Sequence, residues 1–87
     1  MSSNGKMTLA ELHNGEQATV YALQGGHGFI GRMAALGFTP GSTVQMVRNS
    51  GSGPIIVQVL DTQIALGRGQ AAHVQVRSEA SRPEGAS

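Results

Sequence analysis

Three histidines, His13, His27 and His73, are the strongest candidates for transition-metal ligands in a chain that has no cysteine. Imidazole suits many divalent metals, so ligand geometry has to do the selecting. The intervals between these histidines match no recognised ligand spacing. His13 and His27 are expected in exposed loops and His73 beside a strand, which allows weak adventitious binding of a divalent transition metal and no certain cofactor. The acids Glu11, Glu16 and Asp61 each fall near a turn, and none pairs with another at a spacing suited to acid–base work. The serines lie mostly near the chain ends and in residues 49–53, with no nucleophile elbow. Catalysis needs a nucleophile and a base that converge, so the chain is not expected to be an enzyme. Gly25-Gly26-His27-Gly28 precedes a helical pattern, and helix N-termini attract anions. The stretch lacks the Lys-Ser/Thr of a phosphate-binding loop and does not fit G-x-G-x-x-G. Its expected role is to turn a strand into a helix.

Composition narrows the classes further. The 87 residues carry six Lys/Arg against five Asp/Glu, a net charge of +1, with neither sign clustered. Nucleic-acid binding needs several phosphates neutralised together, so that partner class is not expected. No apolar run reaches the 18 or so residues that span a bilayer. Met1 to Lys6 is polar and lacks the apolar run of a secretory signal, so the expected location is the cytoplasm. Thirteen glycines and only three aromatic residues, Tyr21, Phe29 and Phe38, favour short strands around an aliphatic core.

The elements that must position any site follow from periodicity. Residues 1–6 and 78–87 read as disordered tails around one domain at 7–77. Thr8-Leu9-Ala10-Glu11 has capping-box spacing, and Gly15 limits that helix to a turn or two. Leu9 and Leu12 would pin it to the core. From Glu16 to Leu23, Ala18, Val20 and Ala22 alternate with Gln17, Thr19 and Tyr21, the pattern of a half-buried strand. Phe29, Ile30, Met33 and Leu36 then fall on one helix face, Gly37 sits where a left-handed C-terminal residue belongs, and Thr39-Pro40-Gly41-Ser42 reads as a type II turn. Further strands are expected at 43–48, 54–60, 63–66 and 73–77, with Asn49 to Gly53 a flexible turn and Asp61-Thr62 a hairpin connection. A helical turn is expected over residues 67–72. The fold class is mainly β: a small SH3-like five-stranded barrel with one or two short helices, closed so that exposed edges are removed.

The run from Thr8 to Val76 resembles the FeoA family, accessory proteins of bacterial ferrous iron uptake. The resemblance rests on Thr8-Leu9-x-x-Leu12-x-x-Gly15, then Arg32-Met33-x-x-Leu36-Gly37-Phe38-x-Pro40-Gly41-x-x-Val44. Gly53-Pro54-Ile55-x-Val57 and Ile64-Ala65-Leu66-x-Arg68-x-x-Ala71 follow in order. The glycine-rich stretch at 25–28 and Gln70, where an acid is common, depart from the pattern. The resemblance implies an SH3-like barrel and a cytosolic accessory role, binding and modulating FeoB, a membrane transporter with an N-terminal GTP-binding domain. Its alternatives are a metal-binding or metal-sensing module, or an interaction domain related to those of iron-dependent repressors. The expected partner contact is Arg32, Met33, Leu36, Phe38 and Pro40, with Phe38 exposed beyond the helix cap as an anchor. Exposed edge strands would also permit a homodimer.

Overall fold

The computed structural model of the chain describes residues 6–78. In order they form β1 (Lys6–Thr8), a 3₁₀ turn (Leu9–Glu11), β2 (Gln17–Leu23), α1 (His27–Leu36), β3 (Thr43–Arg48), β4 (Ile55–Val59), β5 (Thr62–Leu66), α2 (Arg68–Ala71) and β6 (Val74–Ser78). Mainly β with two short helices, the architecture agrees with the expected class. The strand count does not. Six strands pair antiparallel in the order β1-β6-β2-β3-β4-β5.

The extra strand is β1, whose Lys6, Met7 and Thr8 lie opposite Arg77, Val76 and Gln75. Three residues carry too little alternation to signal a strand, and tertiary pairing makes this one. Among the described residues β1 and β5 do not pair with each other, so the sheet is curled but not closed, and both keep an edge. Lys6 and Ser78, expected in tails, belong to β1 and β6, and Ser78 is buried. The remaining tail expectations, 1–5 and 79–87, lie outside the described residues.

Inward-facing side chains make one aliphatic core. Val44 and Met46 of β3, Ile55, Val57 and Val59 of β4, and Val74 and Val76 of β6 follow the period of two and are buried. Leu9 and Leu12 close one side of that core, as their spacing suggests. Two bulges break the alternation. In β2 the register shifts between Val20 and Ala22, so Tyr21 is exposed and Leu23, not Ala22 as expected, packs against the core. In β3 the shift lies between Met46 and Arg48, leaving Val47 unpaired.

Candidate functional site

The C-terminus of α1 decides which expected contact residues reach solvent. Gly37 is left-handed at φ +106°. Its N–H donates to the carbonyl of Ala34 at 3.0 Å, and the N–H of Phe38 donates to that of Met33 at 2.9 Å. Those two bonds are the Schellman motif, which folds the residue after the glycine back over the last helical turn. Phe38 is therefore driven inward beside Met33, and both are buried, at 0% and 1% exposure. Their expected place on a contact surface is corrected accordingly. They are core residues of the helix cap.

Leu36 moves the other way, being 41% exposed although its spacing puts it on the face of Met33. Leu60, 73% exposed and absent from the expected contact set, lies against Gly37, the residue after Leu36. The β4–β5 connection is Leu60-Asp61, since Val59 pairs with Thr62, and not Asp61-Thr62 as expected. Both connecting residues have positive φ, 52° and 64°, the requirement of a type I′ hairpin. Leucine is a costly choice there, because in the left-handed region its Cβ crowds the following carbonyl oxygen, with no polar side chain to bond locally in return. The same side chain leans over Gly37: a Cβ added at Gly37 would lie 2.8 Å from Leu60 Cδ1. Leu36 and Leu60 thus flank Gly37 and leave apolar surface at the end of α1.

Arg32, one turn before Leu36, shares its helix face. Its side chain runs back toward Gly28, as helical side chains do. The first turn of α1 holds no acid, and no described carboxylate lies within ion-pair distance of Arg32. Pro40 is exposed in the turn that follows, where Gly41 has φ +96° and the Ser42 N–H donates to the Thr39 carbonyl at 2.9 Å. That turn docks on β2 through Gly41 N–H to the Val20 carbonyl at 2.7 Å. Arg32, Leu36, Leu60 and Pro40 are consequently held by a capped helix and two defined turns.

No three His, Asp or Glu side chains converge among the described residues. The ring of His73 meets Phe29 edge-on at 5.8 Å between centroids, and His27 is the first residue of α1. His13 lies 3.5 Å from Glu16, fully out in solvent. Glu16 accepts from the His13 N–H at 2.9 Å and from the Ser78 hydroxyl at 2.7 Å. The His13 backbone bond is the main reason its carboxyl is held below the ordinary value, opposed by partial burial and helped by Ser78.

Asn49, expected in a flexible turn, is a hub. Its amide donates to the carbonyls of Ala10 at 3.0 Å and Leu12 at 2.8 Å. Its Oδ1 accepts from Arg68 Nη2 at 2.7 Å and from Gly51 N–H at 3.0 Å. Arg68 Nε also donates to the Gly53 carbonyl at 3.2 Å. The local signal for this was the Asn-Ser-Gly turn itself, since Asn side chains bond the backbone two residues on. Its long-range partners carry no local signal.

Comparison with known proteins decides the family. The FeoA domain model matches residues 7–78. The chain belongs to the FeoA family. An FeoA crystal structure named as an iron uptake regulatory protein is 34% identical, with a TM-score of 0.80 over 84% of this chain and 97% of that one. A zinc-complexed FeoA of Stenotrophomonas maltophilia, described as a prokaryotic SH3-domain protein, is 35% identical, with a TM-score of 0.72 over 86% and 92% of the two chains. A Porphyromonas gingivalis protein, a fusion of Fe(2+) transport protein A with the Fe(2+) transporter FeoB, is 32% identical over 71 residues. That match takes in 80% of this chain and 8% of the fusion protein. The fold alone extends to a manganese-dependent transcriptional repressor, 19% identical at a TM-score of 0.76 over 90% of this chain and 44% of the repressor. The FeoA family is associated with ferrous iron transport and is a transport accessory domain, and the SH3-like fold expected for this chain is the fold it has. No described helix is long and apolar enough to cross a membrane.

Proposed function

We propose that this chain is a non-catalytic cytosolic accessory of ferrous iron uptake that binds FeoB and modulates it. The observation that carries the reading is the Porphyromonas gingivalis fusion, in which a relative of this domain and FeoB share one chain. Domains joined in one protein act at high effective concentration on each other, which is useful when they work together. The contact surface on this side is Arg32, Leu36, Leu60 and Pro40. Exposed leucines offer apolar area, and the Arg32 guanidinium, set back along α1 toward Gly28, suits a carboxylate on the partner. The strained conformation of Leu60 supports the assignment, because strain at an exposed apolar tip has no evident value to folding.

Titration of the purified chain against the GTP-binding domain of FeoB and against the full transporter tests this, with GTP hydrolysis followed alongside. Binding weakened about tenfold by Leu36→Ala or Leu60→Asn, a loss of about 1.4 kcal/mol, is the expected result. Absence of binding in every nucleotide state would sink the reading. Binding unaffected by either substitution would remove this surface while leaving the partner.

A further inference from the structure

A second surface lies where β3 bends. Strict alternation after buried Met46 would send Arg48 inward, but the unpaired Val47 resets the register and both side chains face solvent. With Asn14, Ser50 and Ile56 they line an open cleft of ≈ 420 Å³. One wall is fixed by Asn14, whose Oδ1 accepts from the Asn49 N–H, so the Asn49 hub holds the cleft as well as the 3₁₀ turn. Ser50 is turned to the Ser52 carbonyl at 3.0 Å. The cleft then offers apolar surface from Val47 and Ile56, the side-chain amide N–H groups of Asn14, and the guanidinium of Arg48. Among the described residues no carboxylate lies within ion-pair distance of Arg48.

An unneutralised guanidinium next to an aliphatic wall and an amide donor is complementary to a carboxylate carried beside an aliphatic side chain. The planar fork matches a carboxylate at two points. Small-molecule sites enclose most of their ligand, whereas this cleft is open to solvent, which suits side chains presented by an extended segment. We propose that it docks a short acidic segment of a partner protein, with a Glu or Asp carboxylate on Arg48 and the neighbouring aliphatic side chain against Val47 and Ile56. The cleft shares no residue with the α1 surface and does not depend on the reading of the transporter contact.

The test is a titration of the ¹⁵N-labelled full chain with N-acetyl-leucyl-glutamyl-leucinamide, followed by amide shifts. Saturable shifts at Val47, Arg48 and Ile56 are expected. They should weaken about tenfold for the glutaminyl analogue and for Arg48→Gln, and weaken again between about 0.05 and 0.5 M salt. Arg48 is exposed, so the variant should unfold at the temperature of the parent, which checks that any loss is local. Equal binding of the two peptides, unchanged binding by Arg48→Gln, or no saturable shift at these positions would each overturn the proposal. A chain ending at Ser78 that binds the peptide more tightly, with altered cleft resonances in the free state, would make residues 79–87 the occupant and overturn the partner reading.

Discussion

Nη2 of Arg68 donates to Oδ1 of Asn49 at 2.7 Å, and through that bond the start of α2 is joined to the 3₁₀ turn that Asn49 holds by two carbonyls. The consequence is a coupled pair. Asn49→Ala takes the amide donor from the Leu12 carbonyl and leaves that of Ala10 only the longer bond from Arg68 Nη1 at 3.5 Å, and should cost about 2–3 kcal/mol. Arg68→Ala should cost about 2 kcal/mol, and the double variant about 1 kcal/mol less than the sum. Urea unfolding of the four chains measures this, and strict additivity would show that the two residues act separately. Arg68→Lys should rescue little, because an ammonium cannot reach these separate acceptors as the fork does.

Phe38→Ala should destabilise the fold by about 3–5 kcal/mol, the usual range for emptying a buried aromatic site. Phe38→Leu keeps most of the volume and should cost much less. Thermal unfolding distinguishes a core residue from a surface one here: a Phe38→Ala chain as stable as the parent would contradict its burial against Met33.

The carboxyl of Glu16 holds its proton less tightly in the folded chain than in the unfolded one, chiefly because the His13 N–H bonds its charged form. Its contribution is therefore complete above the ordinary value of 4.5 and is lost as pH falls through the lower folded value. Unfolding free energy measured from pH 7 down to about 2.5 should fall more steeply below 4.5 in the parent than in Glu16→Gln. Parallel curves would remove Glu16 as an acid-sensitive group. Ser78→Ala should soften the same slope, since its hydroxyl also bonds the charged form.

Leu60→Asn should stabilise the chain by about 1 kcal/mol, since Asn tolerates the left-handed region that Leu resists. The same change removes apolar surface beside Leu36 and should weaken binding to FeoB. Opposite signs for stability and binding are the expected pair, read by thermal unfolding and by titration. Gly37→Ala should do the reverse of the first: its Cβ would meet Leu60 Cδ1 at 2.8 Å in a backbone already at φ +106°, and a stable, unperturbed variant would show that Leu60 moves freely.

Much of this architecture is legible in the residues, and the parts that are not share a cause. Strands β3, β4 and β6 are readable because each buries one face, and the helix stop is readable because Gly37 occupies a position that other residues resist. Periodicity leaves Phe38 at the surface because the hydrophobic pattern ends with the helix, while the Schellman bonds that draw it inward belong to the backbone. The bulges at Tyr21 and Val47 change which side chains face out by inserting one unpaired residue, and nothing in the local composition marks them. Leu60-Asp61 forms a type I′ hairpin without the Asn-Gly that usually announces one. Asn49 carries only a turn signal because the carbonyls its amide bonds lie 37 to 39 residues away. Of the expected contact residues, Arg32, Leu36 and Pro40 reach solvent, and Leu60 reaches Gly37 at the end of α1 only through tertiary folding.

The pairing of Lys6 with Arg77 has a mechanical consequence. The chain enters the domain through β1 and leaves it through β6, and these antiparallel neighbours put both attachment points at the same corner. A pull on the two flanking segments would load the hydrogen bonds of β1 and β6 one at a time, as a zipper opens, instead of shearing them together. Tethered between larger partners, the domain would give way there first and at low force, with β2 to β5 and the surface at the end of α1 the last to feel the load.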